Sequence, residues 1–284
     1  MKIYKNILKS VIFFLILFCH YNSNAASNKY PGDTIKPLPQ LNKQFNMVAY
    51  IVMAADSTAG IDSATIASVI SQVNTIFSPI SASFSLCEVK YIYNFDYDTI
   101  GAAKEETELY NLYWQPNRIN LFFIDKFEGQ MAWECGNASA GGVSYNIPVG
   151  ITLLKNCCTK YVVAHELGHY FSLSHTFGNG PGITQELVNE SNCATTGDNV
   201  CDTPADPYIA TGGADTAYVQ SCIFTLTKYK SGPMAGQYAT DANGQFYDPD
   251  VTNIMSYYVE CVCHFSWGQY QKMATYYLSN PIEW

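Results

Sequence analysis

The chain has 284 residues and sets 24 acidic side chains against 15 basic ones, a formal charge of −9. That acidity counts against nucleic acid or an anionic membrane surface as its partner. Beyond the N-terminal leader no 18-residue stretch is apolar throughout, so no transmembrane helix is predicted.

Residues 1–25 read as a secretory signal peptide. Met1–Lys9 carries three lysines and no acid, and Ser10–Cys19 is an apolar run too short to span a bilayer. Ser23 and Ala25 are small residues suited to cleavage after Ala25. Loss of the three leader lysines moves the formal charge from −9 to −12. The cysteines that remain are 87, 135, 157, 158, 193, 201, 222, 261 and 263. Outside the cytoplasm these favour disulfides over thiolate metal sites, and their odd number leaves at least one without an internal partner.

Residues 26–46, with Pro31, Pro37 and Pro39, read as an extended leader or short prosegment, and 47–284 as one domain. Met47–Ala55 is an apolar run suited to a buried strand. Asp62 or Ser63 caps a helix whose stripe is Ile66, Val69, Ile70, Val73, Ile76 and Phe77. Phe84, Leu86 and Val89 mark a second strand, Gly101–Trp114 a short helix and Ile119–Ile124 a central strand. Ser139–Tyr145 is expected at the sheet edge, where an extended peptide could add by main-chain hydrogen bonds. A further helix is expected to start at Thr159 and run past His169. Residues 178–250 are rich in Gly, Asp, Asn, Thr and Pro and read as long ordered loops. Ser266 caps a last helix with Trp267, Tyr270, Met273 and Tyr277 facing inward.

The run His165-Glu166-Leu167-Gly168-His169 carries the chemistry. Imidazoles four apart on a helix lie on one face and can hold one zinc ion, and Glu166 lies beside the first, where a carboxylate can reach metal-activated water. His175 is a third candidate ligand. On an unbroken helix it would sit about 15 Å further along the axis than His165. A zinc–nitrogen bond is about 2.0–2.1 Å, so the helix must end between Phe171 and Ser174 and the chain must fold back. A glycine would ease that turn; the position is Ser172. Downstream, Asn253-Ile254-Met255-Ser256-Tyr257 has the form of a methionine turn that supports such a site.

The segments HELGHYFSLSHTF at 165–177, GDNVCDTPAD at 197–206, NIMSYY at 253–258 and FSWGQYQKM at 265–273 resemble the pappalysin (cytophagalysin-like) family of metzincin metallopeptidases, with Ser172 as the main departure. The resemblance implies an α+β, two-lobed catalytic domain. Its upper lobe, about 47–172, would hold a mixed twisted sheet, an active-site helix and a backing helix. Its lower lobe, about 173–284, would be irregular and end in a helix. It implies a secreted zinc endopeptidase acting on protein or peptide substrates, with His165, His169 and His175 on Zn2+, Glu166 as general base, Tyr257 as oxyanion donor and Met255 as support. It implies disulfides among Cys193, Cys201, Cys222 and Cys261 or Cys263. It further implies Ca2+ in the loops after the zinc motif, where Asp198, Asn199, Asp202 and Thr203 offer oxygen ligands. Glu260 is the candidate specificity residue, selecting Lys or Arg after the scissile bond.

Three other readings fit some of these residues. In a thermolysin-like peptidase the third ligand would be Glu186 or Glu190 rather than His175. A secreted binding or adhesion protein could keep a zinc without proteolysis, and a zinc amidase could use the same parts on cell-wall peptide.

Overall fold

The structure is a computed structural model that describes residues 37–129, 134–139, 148–178, 184–207, 219–224, 240–258 and 260–280. The signal-peptide expectation, most of the leader and the greater part of the 139–145 edge strand lie outside these residues.

The first strand, β1 (Lys43–Val52), is apolar on both faces from Met47 onward because both are covered there. Met47, Ala49 and Ile51 point into one core, and Val48, Tyr50 and Val52 into another. It starts four residues before the predicted run. Phe45 accounts for that start, because its ring packs against Phe84 and Phe171 at centroid distances of 5.6 and 5.3 Å. Helix α1 (Ser63–Phe77) follows, with Asp62 accepting a hydrogen bond from the Thr65 amide at 2.7 Å. Its buried Ile66, Val69, Ile70, Val73 and Phe77 recur at helical spacing and face the sheet.

Strand β2 (Ala82–Ile92) pairs parallel to β1. Short strands β3 (Thr99–Ile100) and β5 (Lys126–Phe127) form a separate parallel pair beside α2 (Ala103–Tyr113). Strand β4 (Ile119–Ile124) is the middle of the main sheet, as its sequence, apolar except for the buried Asn120, predicts. Beyond it lie β7 (Ile151–Leu154), parallel to β4, and β6 (Gly136–Ala138), antiparallel to β7. Among the described residues the order is β2-β1-β4-β7-β6, a mixed sheet whose one antiparallel member stands at one edge. This edge strand precedes the expected Ser139–Tyr145 segment and was not itself expected from the sequence. The disulfide Cys135–Cys157 secures its start to the turn before the next helix.

That next helix, α3 (Lys160–Tyr170), is capped by the Thr159 hydroxyl and packs with α1 on one face of the sheet, while α2 covers the other. On the α2 side, buried Lys155 and Asp98 form an ion pair at 2.6 Å. Between α3 and residue 265 the described residues are largely irregular. A short hairpin, β8 (Val219–Gln220) with β9 (Ile223–Phe224), and the disulfides Cys193–Cys201 and Cys222–Cys261 hold them. Cys263 is also disulfide-bonded, and Cys87 and Cys158 are free thiols. Helix α4 (Trp267–Ser279) starts at a reciprocal cap between Ser266 and Gln269. It buries Tyr270 and Met273 against the α1–α3 core.

Candidate metal centre

Helix α3 presents His165 and His169 one turn apart on one face, and then stops. Phe171 is the C-cap, and Ser172 takes the left-handed conformation at φ 71° that the usual glycine would adopt. The Ser172 and Leu173 amides donate to the His169 and Gly168 carbonyls, which closes the helix and turns the chain back. That reversal brings His175 to the other two rings. The His169 Nε2 lies 3.1 Å from His165 Nε2 and 3.0 Å from His175 Nε2, and the last pair is 3.3 Å apart.

Those separations fit one ion. Nitrogens about 2.0–2.1 Å from a tetrahedral zinc stand roughly 3.3–3.4 Å from each other. The other ring nitrogens make the same case. The Nδ1 of His165 is 2.6 Å from the Ile254 carbonyl, and that of His169 is 2.8 Å from the Leu173 carbonyl. A carbonyl can only accept, so Nδ1–H donates in both, and each neutral ring offers its Nε2 lone pair to the shared centre. Burial disfavours the imidazolium, and the neighbouring histidines add to that for His165 and His175. It holds His165 down to about 3 and His175 to about 2, and lowers His169. Three neutral lone pairs facing one point are the donor set a divalent cation requires. Among the described residues this trio is the only group of three or more His, Cys, Asp or Glu residues so gathered. Glu186 and Glu190 do not join it, so the thermolysin-like arrangement is not what the chain forms.

Glu166 is buried beside the trio, at 4% exposure. Its carboxyl is pushed well above the usual range by burial first and by the charges of Glu134 and Glu106 next. A Cβ on Gly136 would fall 2.8 Å from Glu166 Oε1, so strand β6 passes directly over this carboxylate. Below the trio, Asn253–Tyr257 forms a tight turn. The Asn253 side chain accepts from the Met255 amide at 2.9 Å, and Met255 is fully buried under α3. The Tyr257 ring stands edge-on to His175 at 4.5 Å and 6.0 Å from His165, and is half-buried.

The other predicted residues have different surroundings. Asp198 is buried and accepts from the Val200 amide, the Thr203 hydroxyl and the Gln269 amide. Asp202 receives the Ser266 hydroxyl at 2.7 Å and the Gly268 amide at 2.7 Å, so it braces the start of α4. Glu260 is exposed on the turn after Tyr258.

Three features were not anticipated. Asp206 accepts hydrogen bonds from Thr176, next to His175, and Tyr258, next to Tyr257. It thereby ties the third histidine to the methionine turn. Both carboxylate oxygens of Glu186 are buried without a hydrogen-bond partner. Glu106 reaches from α2 to β6. Asp206 stands within the quoted GDNVCDTPAD segment, but partners 30 and 52 residues away leave no local trace.

Residues 63–176 match the reprolysin-like metallo-peptidase family M12B, and residues 132–277 match the M43 family described as pregnancy-associated plasma protein-A. An extracellular metalloprotease of Podospora anserina is 25% identical over 248 residues, 80% of each chain. An extracellular metalloprotease of Colletotrichum graminicola is 31% identical over 126 residues, 39% of this chain and 40% of that one. Among solved structures, metalloproteinase-II of Bacteroides fragilis overlaps 66% of this chain and 57% of its own at 16% identity and TM-score 0.34, too loose an overlap to define a fold. The M43 match covers just over half of the sequence and includes both the histidine trio and the methionine turn, and the chain belongs to this family of metallopeptidases, the pappalysins.

Proposed function

We propose that the protein is a secreted zinc-dependent endopeptidase that hydrolyses internal peptide bonds. The observation that carries this reading is the meeting of His165, His169 and His175 within 3.0–3.3 Å, with the buried Glu166 carboxyl alongside. Zinc held there would polarise the scissile carbonyl and lower the pKa of a water toward about 7. Glu166 accepts the proton of the attacking water and passes it to the leaving amine. Tyr257 donates its hydroxyl to the oxygen that gains charge in the tetrahedral state. Strand β6 is the edge of the sheet among the described residues, and an extended substrate lies along it by main-chain hydrogen bonds. Met255 supports the histidines from below.

Secretion is supported by three disulfides among the described residues and by relatives named as extracellular. No helix among the described residues is long and apolar enough to cross a membrane.

Calcium belongs to the same proposal, and the orphaned Glu186 carboxylate is the feature that fits it. Burial first, then Asp198 and Asp206, push the Glu186 carboxyl up to about 8. Burial pushes Asp198 up to about 7. Adjacent buried acids of this kind suit a hard cation with oxygen ligands. Asp198 and Glu186 would hold it, with Thr203 supporting Asp198 and Asp202 close by in sequence. Glu260, exposed five residues after Met255, is proposed to select a basic residue after the scissile bond; an apolar preference there would refute it.

The test is digestion of a peptide library by wild type and Glu166→Gln, with zinc content measured on both. Cleavage by wild type and a loss of about 10²–10⁴-fold in the variant at equal zinc content is expected. Full activity in the variant, or no cleavage by zinc-loaded wild type, rejects the reading.

A further inference from the structure

Strand β6 is only three residues long, yet under the proposed function it must hold substrate against the metal centre. Its residues alternate between two faces of the sheet. Gly136, opposite Leu153, faces α3 and lies on the Glu166 carboxylate. Asn137, opposite Thr152, faces the other way, toward α2. There the Asn137 amide donates to Glu106 Oε2 at 2.7 Å. Glu106 is buried, and its second oxygen accepts from the Tyr110 hydroxyl at 3.0 Å; that hydroxyl lies 2.9 Å from the Thr152 hydroxyl on β7. Burial raises the Glu106 carboxyl, and hydrogen bonds from Thr152, Tyr110 and Asn137 oppose that rise. A buried carboxyl is costly to leave unpaired, so each donor here has a definite place.

We infer that Glu106 is a positioning residue that acts through Asn137: from the far side of the sheet it fixes the height and register of β6 over Glu166, and so sets how tightly an extended peptide is held for cleavage. Beyond three ladder pairs with β7 and the Cys135–Cys157 bridge at its start, β6 has no other anchor of this kind among the described residues. The inference rests on the proteolytic reading, because it assigns β6 to substrate.

Two measurements on the zinc-loaded full chain test it. The first is KM and kcat for a peptide of about eight residues. Asn137→Ala is expected to raise KM on the order of tenfold with kcat changed less than about threefold and zinc content unchanged. Glu106→Gln, whose amide can still bond Asn137 once that amide is turned, is expected to keep KM within about threefold of wild type. The second is amide hydrogen exchange across Gly136–Ala138, which needs no activity. Exchange about tenfold faster in Asn137→Ala, but not in Glu106→Gln, is expected. An unchanged KM in Asn137→Ala, a loss confined to kcat, or unaltered exchange overturns the inference. Wild type that cleaves no peptide defeats the proteolytic reading and the substrate role with it, while exchange still reports whether Glu106 anchors β6.

Discussion

Gly168 sits so close to Met255 that a Cβ on the glycine would lie 2.5 Å from the methionine sulfur. The helix that carries two of the histidines therefore rests on the methionine turn with no side chain between them. Phe265 closes the same space, 3.3 Å from that imagined carbon. Gly168→Ala should be unfavourable despite alanine's better helix propensity, which alone would gain about 1 kcal/mol. Overpacking of this kind costs about 1–3 kcal/mol, and the thioether it would push on is fully buried. Urea denaturation should show a lower midpoint and metal titration a weaker site. A variant more stable than wild type would show that the two elements do not bear on each other.

Ser172 carries the opposite message. Its φ of 71° is tolerated because the turn must bring His175 back to the helix. A non-glycine residue in that region costs about 1–2 kcal/mol, and glycine's extra freedom when unfolded recovers only part of the difference. Ser172→Gly is expected to gain about 0.5–1 kcal/mol at unchanged activity, and Ser172→Val to lose about 2 kcal/mol or more. Equal thermal midpoints for all three proteins would count against strain at this residue.

Tyr257 has its ring edge-on to His175 and stays half-buried. If its hydroxyl meets the oxyanion, Tyr257→Phe should lower kcat by about 10²–10³-fold while KM and zinc content stay close to wild type. A packing role alone predicts a small kcat change and a lower melting temperature.

The acidic pair makes stability depend on pH. Glu186, at about 8, and Asp198, at about 7, both stand above their ordinary values of 4.5 and 3.8. The folded state thus binds more protons than the unfolded state between these limits, and stability falls as pH rises through that window. Below about pH 4 neither group contributes to the slope. Calcium should reverse the trend by taking the place of the protons. Thermal midpoints measured at pH 5.5 and pH 8, with calcium and with chelator, are expected to show the larger calcium effect at pH 8. Glu186→Gln should flatten the dependence. A calcium effect equal at both pH values would argue against this pair as its site.

Much of the fold was legible because its signals are local. The stripe from Ile66 to Phe77, the caps at Asp62, Thr159 and Ser266, and the mostly apolar run Ile119–Ile124 each need only neighbouring residues to be read. Strand β6 was not legible because Gly136–Ala138 has no apolar alternation. Its position comes from β7, from the Cys135–Cys157 bridge and from Glu106. The cysteine count gave no way to see that bridge, since pairing depends on distance in space. The surroundings of Asp198 and Asp202 were equally hidden, because their partners Gln269, Ser266 and Gly268 lie over sixty residues away.

By itself the sequence determined the candidate ligand set and the demand for a turn. Two histidines four apart must share a helix face, and a third ten residues on can join them only if the helix ends first. Only the tertiary structure decided which groups stand around that centre: the Ile254 carbonyl behind His165, Met255 beneath Gly168, the β6 backbone over Glu166 and the unpaired Glu186 facing Asp198 and Asp206. Helical periodicity is a property of consecutive residues, whereas tautomer, burial and carboxylate charge are set by atoms that the chain brings together from far apart.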